Sequence, residues 1–501
     1  MTWNNWLPLL IVLSSMIPGL IIFFLHEKAE TTRTLLNLIG ATVKLALIGV
    51  MLYGVWQGEI FEIRIPLLLD IDLVLHGDAM SLLFATLSTV LWYVTTIYAI
   101  SYMEPGENRS RFFGFFSLCV SASVSIALAG NLVTFLLFYE LLTLSTYPLV
   151  VHYGSPEALR AGRVYLAYTL AGGTLFLAGV AWLRALVGPL DFTATGLLAD
   201  IGGHHPAELT AVFALLVTGL GVKAALVPLH GWLPRAMVAP APVSALLHAV
   251  AVVKAGAFGI LRVVYDVYGI EFASNLDVLT PLAIAASVTI IYGSLRALFQ
   301  DELKKRLAYS TVSQVSYIIL GAAVVGPLAT IGGTAHMIHQ GLMKITLFFC
   351  AGILIKSLGV HHISEMHGAG RRLPWTMLAF TVGALGMIGI PPLAGFISKW
   401  YLGTGAIEAG QPWVVGVLLT STLLNALYFL PILYVVWFRQ RTGPWPAELD
   451  TGGAETRLPL LLPTLFTALL ALVVGLLANM PFSPLQWARL IASREYLIWE
   501  P

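Results

Sequence analysis

Apolar runs of about 20 residues, separated by short polar segments, recur along the whole chain. They extend from "NNWLPLLIVLSSMIPGLIIFF" near the start to "LLLPTLFTALLALVVGLLA" near the end. The apolar positions are continuous rather than alternating, which excludes a membrane β-barrel and predicts α-helices, because lipid offers the backbone no hydrogen-bond partners. The first run is interpreted as a transmembrane helix and not a signal peptide, since it is too long and no basic residue precedes it.

The runs predict an all-α integral membrane protein with fourteen transmembrane helices. In order, spans 1 to 14 are expected at residues 5–25, 34–56, 78–102, 112–129, 131–151, 163–185, 208–228, 241–263, 276–295, 307–325, 328–355, 374–402, 412–438 and 458–479. The longest polar connections, around residues 57–77, 186–207 and 439–457, are too short to form separate domains.

The distribution of basic residues predicts the orientation. Seventeen of the 27 lysines and arginines lie in odd-numbered loops, and the even-numbered loops hold only Arg64. By the positive-inside rule the odd loops are cytoplasmic, so both termini are expected on the outer (periplasmic or extracellular) side. We therefore expect a multi-pass protein of the inner (plasma) membrane.

Composition narrows the functional classes. The chain is 58% hydrophobic and 11% charged with a net charge of +1, which excludes a soluble protein and argues against a nucleic-acid partner. Both cysteines, Cys119 and Cys350, lie in apolar spans and suggest neither a disulfide framework nor a metal site. No phosphate-binding loop or dinucleotide fingerprint is present in the sequence, so no cofactor is predicted.

Ionisable residues at membrane depth are the most informative feature, because a charge in the bilayer is costly. Burial disfavours the charged form of lysine, whereas a nearby carboxylate favours it, so a Glu140–Lys223 pair predicts a switchable proton site. The alternative is that these residues are purely structural, and this interpretation carries most weight for Lys44, which has no polar neighbours in the sequence. The deep residues are Glu140, Lys44, Lys223, Lys254, Lys344 and Lys399.

Histidines extend this pattern, and histidine relays protons near neutral pH. His230 follows Lys223 by two turns, so the two would share a face if the helix were regular, and His248 precedes Lys254 by six residues. Any single histidine could instead be a hydrogen-bonded core residue. No carboxylate or cysteine stands at ligand spacing, so a metal site is disfavoured. One broad helix face, spanning about 140°, would carry His336, His339, Gln340 and Lys344.

Prolines interrupt two of the spans beside a lysine. Two follow Lys223 in span 7 and two precede Lys399 in span 12, namely Pro228, Pro234, Pro391 and Pro392. Such breaks persist at membrane depth only where they are buried in protein or line a hydrated cavity. The two broken spans are five apart, and an odd period reverses orientation, which predicts inverted repeats of spans 4–8 and 9–13. The expected segments are residues 1–110, 111–265, 266–440 and 441–501.

Several motifs resemble those of the antiporter-like membrane subunits. The resemblance is carried by "LLFYELLTLSTYPLV", "KAALVPLHGWLPRAMVAPAPVSALLHAVAVVKAGAFGILR", "KKRLAYSTVSQVSYIILG", "HMIHQGLMKITLFFCAGIL" and "GIPPLAGFISKW", and it covers roughly residues 80–440. That family includes the D-type membrane protein of Mrp multisubunit Na⁺/H⁺ antiporters and the M-, N- and L-type proton-pumping proteins of respiratory complex I, and membrane-bound hydrogenases carry relatives.

The resemblance implies roles for individual residues. Glu140 and Lys223 would form the paired site of helices 5 and 7, and Lys254 would bridge to a central hydrophilic axis ending at Lys399. The lysine in "GFISKW" favours the D or N type over the M type, and the short stretch after span 14 disfavours the L type and the larger A-type Mrp protein. The axis itself would comprise His248, His336, His339 and Lys344.

These observations predict a proton-translocating subunit of a multisubunit monovalent cation (Na⁺)/proton antiporter. Its partners would be the lipid bilayer and other membrane subunits, its cargo protons and Na⁺, and it would carry out no covalent chemistry of its own. Three alternatives stay open: a proton-pumping subunit of a respiratory complex, which would make it part of a translocase; a proton-coupled subunit of an inorganic-carbon uptake system; and a standalone carrier.

Overall fold

The computed structural model describes residues 3–68, 70–199, 205–449 and 454–497, so the three longest predicted connections each include residues outside the described part. Twenty α-helices and one two-stranded hairpin form in these residues. The helices are α1 (Trp3–Phe23), α2 (Glu30–Trp56), α3 (Ala79–Tyr102), α4 (Arg109–Ala127), α5 (Leu132–Val150), α6 (Pro156–Val187), α7 (Pro206–Lys223), α8 (Trp232–Arg235), α9 (Ala241–Ala249), α10 (Val252–Arg262), α11 (Ile270–Asn275), α12 (Leu279–Leu298), α13 (Leu303–Ala323), α14 (Pro327–Leu358), α15 (Ala369–Arg372), α16 (Pro374–Ile388), α17 (Ala394–Glu408), α18 (Trp413–Phe438), α19 (Leu458–Leu476) and α20 (Pro484–Glu495).

The all-α membrane architecture is confirmed, with a lower count of regular spans than the fourteen expected. In the described residues, twelve helices are long and apolar enough to cross a membrane, with α9, α10 and the π-helical turn after them counted as one. Two predicted spans do not qualify. Span 10 forms α13, which has 21 residues but is rich in serine and threonine, and span 12 is divided, so that α16 has only 15 residues.

Both proline-marked spans are broken, as predicted. In span 7 the helix ends at Lys223, and a short helix resumes only at Trp232. The indole Nε1 of Trp232 donates to the carbonyl of Val222 at 2.7 Å, so the side chain satisfies a group that the break releases. In span 12 the break separates Ile388 from Ala394.

A third break, in span 8, was not predicted. It lies between Ala249 and Val252, and no proline occurs within it. The carbonyl of Val250 there accepts hydrogen bonds from the hydroxyls of Ser88 and Ser123, each at 3.4 Å. Serines on two neighbouring helices therefore compensate backbone that is irregular at membrane depth.

The connection between α2 and α3 forms a β-hairpin, where the sequence suggested only a polar loop. Strands β1 (Phe61–Leu68) and β2 (Ile71–Gly77) pair antiparallel. The hairpin is held against the turn that joins α4 and α5, since the amide of Gly130 donates to the carbonyl of Val74 at 2.9 Å.

An ion-pair cluster fixes the last helix, α20, to the bundle. Asp78 caps α3, and it also accepts from Arg262 at 2.9 Å and from Arg494 at 2.5 Å. Both arginines also pair with Asp266. The side chain of Arg262 is 1% exposed, so it lies inside the bundle rather than at the membrane surface. Although burial opposes ionisation, the two guanidinium groups hold the pKa of Asp78 well below its usual range.

Candidate functional site

Lys223 is buried at the last residue of α7, beside Tyr139 of α5. Its ammonium donates to the carbonyl of Tyr139 and lies 3.3 Å from the centroid of the tyrosine ring. The tyrosine hydroxyl in turn donates to the carbonyl of Gly219 on α7 at 3.2 Å. The end of the broken helix thus places an amine against a backbone oxygen and a ring face, two groups that favour positive charge.

Glu140, the next residue on α5, lies close to Lys223 without touching it. No ion pair joins the two side chains within the described residues, and Oε1 of Glu140 is buried without a hydrogen-bond partner. Its carboxyl group lies against Gly173 of α6, where a Cβ would be only 2.8 Å from Cδ. The two residues of the predicted pair therefore lie near each other, on α5 and at the end of α7, without a direct contact.

Lys254 connects α10 to the long helix α14. Its ammonium is fully buried and donates to the carbonyl of Met337 at 2.8 Å. Gly256, two residues later, allows α10 to approach the end of α7, since a Cβ there would lie 2.7 Å from the carbonyl oxygen of Leu220. Lys254 thus lies between α7, which ends at Lys223, and α14, which carries His336 and His339.

His248 lies on α9, on the other side of the unpredicted break from Lys254. It is fully buried and stacks on Phe348, with ring centroids 4.5 Å apart. Neither ring nitrogen has a hydrogen-bond partner in the described structure. A buried imidazole with two unpaired nitrogens can exchange a proton only if water or a moving side chain reaches it.

The two histidines of α14 have different environments. His336 bonds through Nδ1 to the hydroxyl of Ser398 at 2.8 Å and through Nε2 to Oε1 of Gln314 at 3.1 Å. His336 therefore links Gln314 on α13 to Ser398 on α17, and Ser398 is the residue directly before Lys399. Both nitrogens of His339 are buried and have no partner among the described residues, as is the case for the amide of Gln340.

Lys344 lies two turns after His336 on α14 and is also fully buried. Its ammonium donates to the hydroxyl of Ser310 at 2.7 Å and to the carbonyl of Leu307 at 3.1 Å, both on α13. The polar residues of "KKRLAYSTVSQVSYIILG" that reduce the hydropathy of α13 are thus the partners of Lys344 and His336.

Lys399 is half-buried on α17 and binds the end of the preceding half-helix. Its ammonium donates to the carbonyls of Met387 at 3.0 Å and Ile388 at 2.8 Å. These oxygens lack helical partners because α16 stops at Ile388, and the negative end of a helix dipole favours a cation. The hydroxyl of Thr422 lies 3.4 Å away.

Glu140, the buried lysines and histidines described above, and Lys399 are called the row from here on. Two of the sequence-predicted residues lie apart from it. His230 does not share a helix face with Lys223, because α7 ends at Lys223 and His230 lies in the irregular segment before α8. Its ring contacts Tyr292, with centroids 5.0 Å apart. Lys44 is buried among the N-terminal helices, where it donates to the hydroxyl of Ser15 and lies 5.5 Å from the ring of Trp92.

Sequence reasoning missed the neutral partners of the charged groups. Tyr139 contacts Lys223, and Gln314 and Ser398 contact His336, yet none of the three stands out in the sequence. The one usable signal was the density of hydroxyl residues in α13. No group of three or more metal-ligating side chains occurs in the described residues.

A cavity opens at each end of the bundle. One, of 740 Å³, lies among basic residues of odd-numbered loops and extends to Lys304 and Pro240, at the start of α9. The other, of 790 Å³, is lined by residues around α11, by Glu495 at the end of α20 and by Tyr496 directly after it. The row of lysines and histidines lies on helices that run between the two.

Comparison with known proteins identifies the family. Residues 129–425 match the family described as NADH:quinone oxidoreductase/Mrp antiporter, transmembrane region. The chain is 36% identical to the N-type subunit of the NADH-quinone oxidoreductase of Desulforudis audaxviator (strain MP104C), over 76% of this chain and 77% of that protein. It is 30% identical to the D-type subunit of the Na⁺/H⁺ antiporter of Bacillus subtilis (strain 168), over 94% of each. Several other curated relatives are longer proteins, of which the chain covers between 41% and 62%.

The fold has solved counterparts. A chain of the Mrp complex from Dietzia sp. DQ12-45-1b superimposes with a TM-score of 0.86 at 23% identity, over 99% of this chain and 98% of that one. The family match covers more than half of the sequence, and the relationship to the Bacillus subtilis antiporter protein extends nearly end to end. The chain is therefore a multi-pass membrane protein that belongs to the NADH:quinone oxidoreductase/Mrp antiporter transmembrane family.

Proposed function

We propose that this chain is the proton-translocating membrane subunit of a multisubunit monovalent cation (Na⁺)/proton antiporter. Protons move along an intramembrane row from Glu140 and Lys223 through Lys254 and the histidines of α9 and α14 to Lys399. The chain works beside other membrane subunits, and its own residues hold and pass protons without covalent chemistry. The near end-to-end relationship to a D-type antiporter protein supports this assignment.

One observation carries the proposal: buried or half-buried lysines occur at the places where helices are interrupted. Lys223 is the last residue of α7, Lys254 follows the break between α9 and α10, and Lys399 binds the carbonyls that the end of α16 leaves free. An interrupted helix needs polar company or water at membrane depth, and a lysine there can change its charge as that environment changes. In the described residues these three lysines bind backbone carbonyls rather than a carboxylate, so no fixed counter-charge holds any of them in its charged form.

The unpaired atoms along the row support proton movement. Oε1 of Glu140 and both nitrogens of His248 and His339 are buried without hydrogen-bond partners in the described residues. A carboxylate or an imidazole in such a place can take up a proton or bind water, which is what a proton-passing row requires. The open contact between Glu140 and Lys223 fits a pair that closes and separates during transport.

Topology and repeats complete the proposal. The odd-numbered loops, which hold seventeen basic residues, face the cytoplasm of a plasma membrane, and both termini face outward. Residues 111–265 and 266–440 form two inverted repeats between the N-terminal helices, 1–110, and the C-terminal part, 441–501. The 740 Å³ cavity then opens inward and the 790 Å³ cavity outward.

The test is transport by the assembled complex carrying Lys223→Ala or Glu140→Ala. In everted membrane vesicles, each change should abolish cation-dependent collapse of a pH gradient while the complex still assembles at the native level. Lys44→Met is the matched control, since Lys44 is another fully buried lysine but lies outside the row. Native transport in both Lys223→Ala and Glu140→Ala would end the proposal.

A second function is favoured by one comparison. The relative that is 36% identical belongs to an NADH-quinone oxidoreductase, so the same row of residues would serve a respiratory proton pump. The two functions differ in the source of energy rather than in this chain. Purification of the native complex distinguishes them, because a respiratory assembly co-purifies with flavin and iron–sulfur proteins and an antiporter does not.

A further inference from the structure

A chain of hydrogen bonds joins Lys344 to the break where Lys399 is held. Ser310 of α13, which accepts from Lys344, lies 2.9 Å from the hydroxyl of Tyr428 on α18. Tyr428 donates to Oδ1 of Asn425, one turn earlier on the same helix. Nδ2 of Asn425 donates to the carbonyl of Met387 at 3.1 Å, and that carbonyl also accepts from Lys399 at 3.0 Å.

The direction of every bond in this chain follows from its two ends. A carbonyl only accepts, so the amide nitrogen of Asn425 must face Met387 and its oxygen must face Tyr428. The single proton of Tyr428 is then committed to Asn425, and Ser310 must donate its own proton to Tyr428. Ser310 has only its lone pairs left for Lys344, which suits an ammonium that can only donate.

Loss of the proton from Lys344 would allow the opposite order. A neutral amine has a lone pair and can accept from Ser310. Tyr428 could then turn its proton to Ser310, which would free the oxygen of Asn425 and leave the Asn425 amide held only by its bond to Met387 at the break. Ser310, Tyr428 and Asn425 are each 0% exposed, so bulk water does not stand in for any member of the chain.

We propose that Tyr428 is a positioning residue that couples the charge on Lys344 to the hydrogen bonds holding Lys399 at the break between α16 and α17. This inference rests on the proposed function, because it assumes that both lysines change charge. It adds three neutral residues, on α13 and α18, to the row. Their role is to transmit a change in the charge of Lys344 to the hydrogen bonds of Lys399.

Transport by Tyr428→Phe is the first test, since phenylalanine keeps the ring and removes only the hydroxyl. Proton-coupled transport in everted vesicles should fall by about tenfold or more at native assembly levels. Tyr434→Phe is the matched control, because Tyr434 lies on the same helix and is 52% exposed. Its transport should stay within about twofold of native. Native transport in Tyr428→Phe would overturn the inference.

Ser310 separates a coupled chain from independent structural effects. Ser310→Ala should reduce transport as Tyr428→Phe does, and Ser310→Thr should restore it, because threonine keeps the hydroxyl. The double variant Ser310→Ala/Tyr428→Phe should be no worse than either single change, since breaking one chain twice costs no more than breaking it once. Losses that multiply, or equal losses in Ser310→Ala and Ser310→Thr, would overturn the inference.

The outcomes also distinguish this inference from the proposed function. If Lys223→Ala and Glu140→Ala abolish transport while Tyr428→Phe and Ser310→Ala do not, only the coupling through Tyr428 is wrong. If all four variants transport normally, the proposed function itself fails. Should Tyr428→Phe fail to assemble, the comparison of Ser310→Ala with Ser310→Thr decides the inference.

Discussion

Gly173→Ala tests whether the position of the Glu140 carboxylate matters. An added Cβ would overlap Oε1 and would lie 2.8 Å from Cδ and 3.0 Å from Oε2 of Glu140. Restoring an ordinary contact of 3.4 Å requires the carboxyl carbon to move by at least about 0.6 Å, and Oε1, the nearest atom, must move further. The neighbour that must give way is the far end of a flexible side chain, so the helices themselves can stay in place.

The expected result is a loss of transport without a loss of assembly. A displacement of about 1 Å in a group that exchanges protons can cost about a hundredfold in rate, so a shift of about 0.6 Å should reduce transport by about tenfold. The assay is cation-dependent collapse of a pH gradient in everted vesicles, with complex content measured in the same membranes. Gly49→Ala on α2 is the control, since nothing lies within 4 Å of its added Cβ.

A second change checks that the effect passes through Glu140. Aspartate is shorter by one methylene, about 1.5 Å, so it vacates the space that the alanine takes. Glu140→Asp withdraws the carboxylate and should itself reduce transport, but adding Gly173→Ala in this background should cost less than about twofold more. Native transport in the single variant Gly173→Ala would refute the reasoning, because the carboxylate would then tolerate displacement from its site.

Two further predictions concern stability. Burial, together with the charge of Asp266 beside it, raises the pKa of Glu495 well above its usual range. The neutral carboxyl group therefore contributes its full stabilisation below the pKa of the unfolded chain, about 4.3. This contribution is lost as the pH rises through the pKa of the folded protein. Glu495→Gln should raise the thermal unfolding temperature in detergent at about pH 7 and not at about pH 4, and an equal shift at both would contradict this sign. Trp232→Phe removes the donor to the carbonyl of Val222 and should destabilise the protein by about 1–2 kcal/mol in denaturant titrations, whereas an unchanged midpoint would show that the break does not depend on this bond.

The sequence predicted the elements whose physics is local. Continuous apolar runs are enough to place helices, because every spanning segment must satisfy its own backbone. Proline marked the breaks after Lys223 and before Lys399, since it removes a donor wherever it occurs. A lysine within such a run is visible without any knowledge of its neighbours.

The features that sequence reasoning missed depend on residues distant in the chain. The break at Val250 is stabilised by Ser88 and Ser123, which lie 162 and 127 positions away, so no local signal marks it. Arg262 is buried because it pairs with Asp78, which lies 184 positions earlier in the chain, as well as with Asp266. In both cases the local structure depends on residues that only the folded chain brings together.

The same limit applies to the candidate site. Each lysine and histidine of the row could be named from the sequence, but not what it contacts. His230 was grouped with Lys223 on the assumption of a regular helix, and the end of α7 removes that relationship. The partners of His336, namely Gln314 and Ser398, are neutral residues on two other helices.

Proton-coupled transport by the reconstituted complex with Lys254→Met is the most direct test that the buried lysines form one pathway. Lys254 lies at the centre of the row, bound to the carbonyl of Met337, and is 0% exposed, as is the control residue Lys44. The account predicts that Lys254→Met loses about tenfold or more of the native rate while Lys44→Met stays within about twofold. Equal rates in the two variants, with both complexes fully assembled, would contradict it.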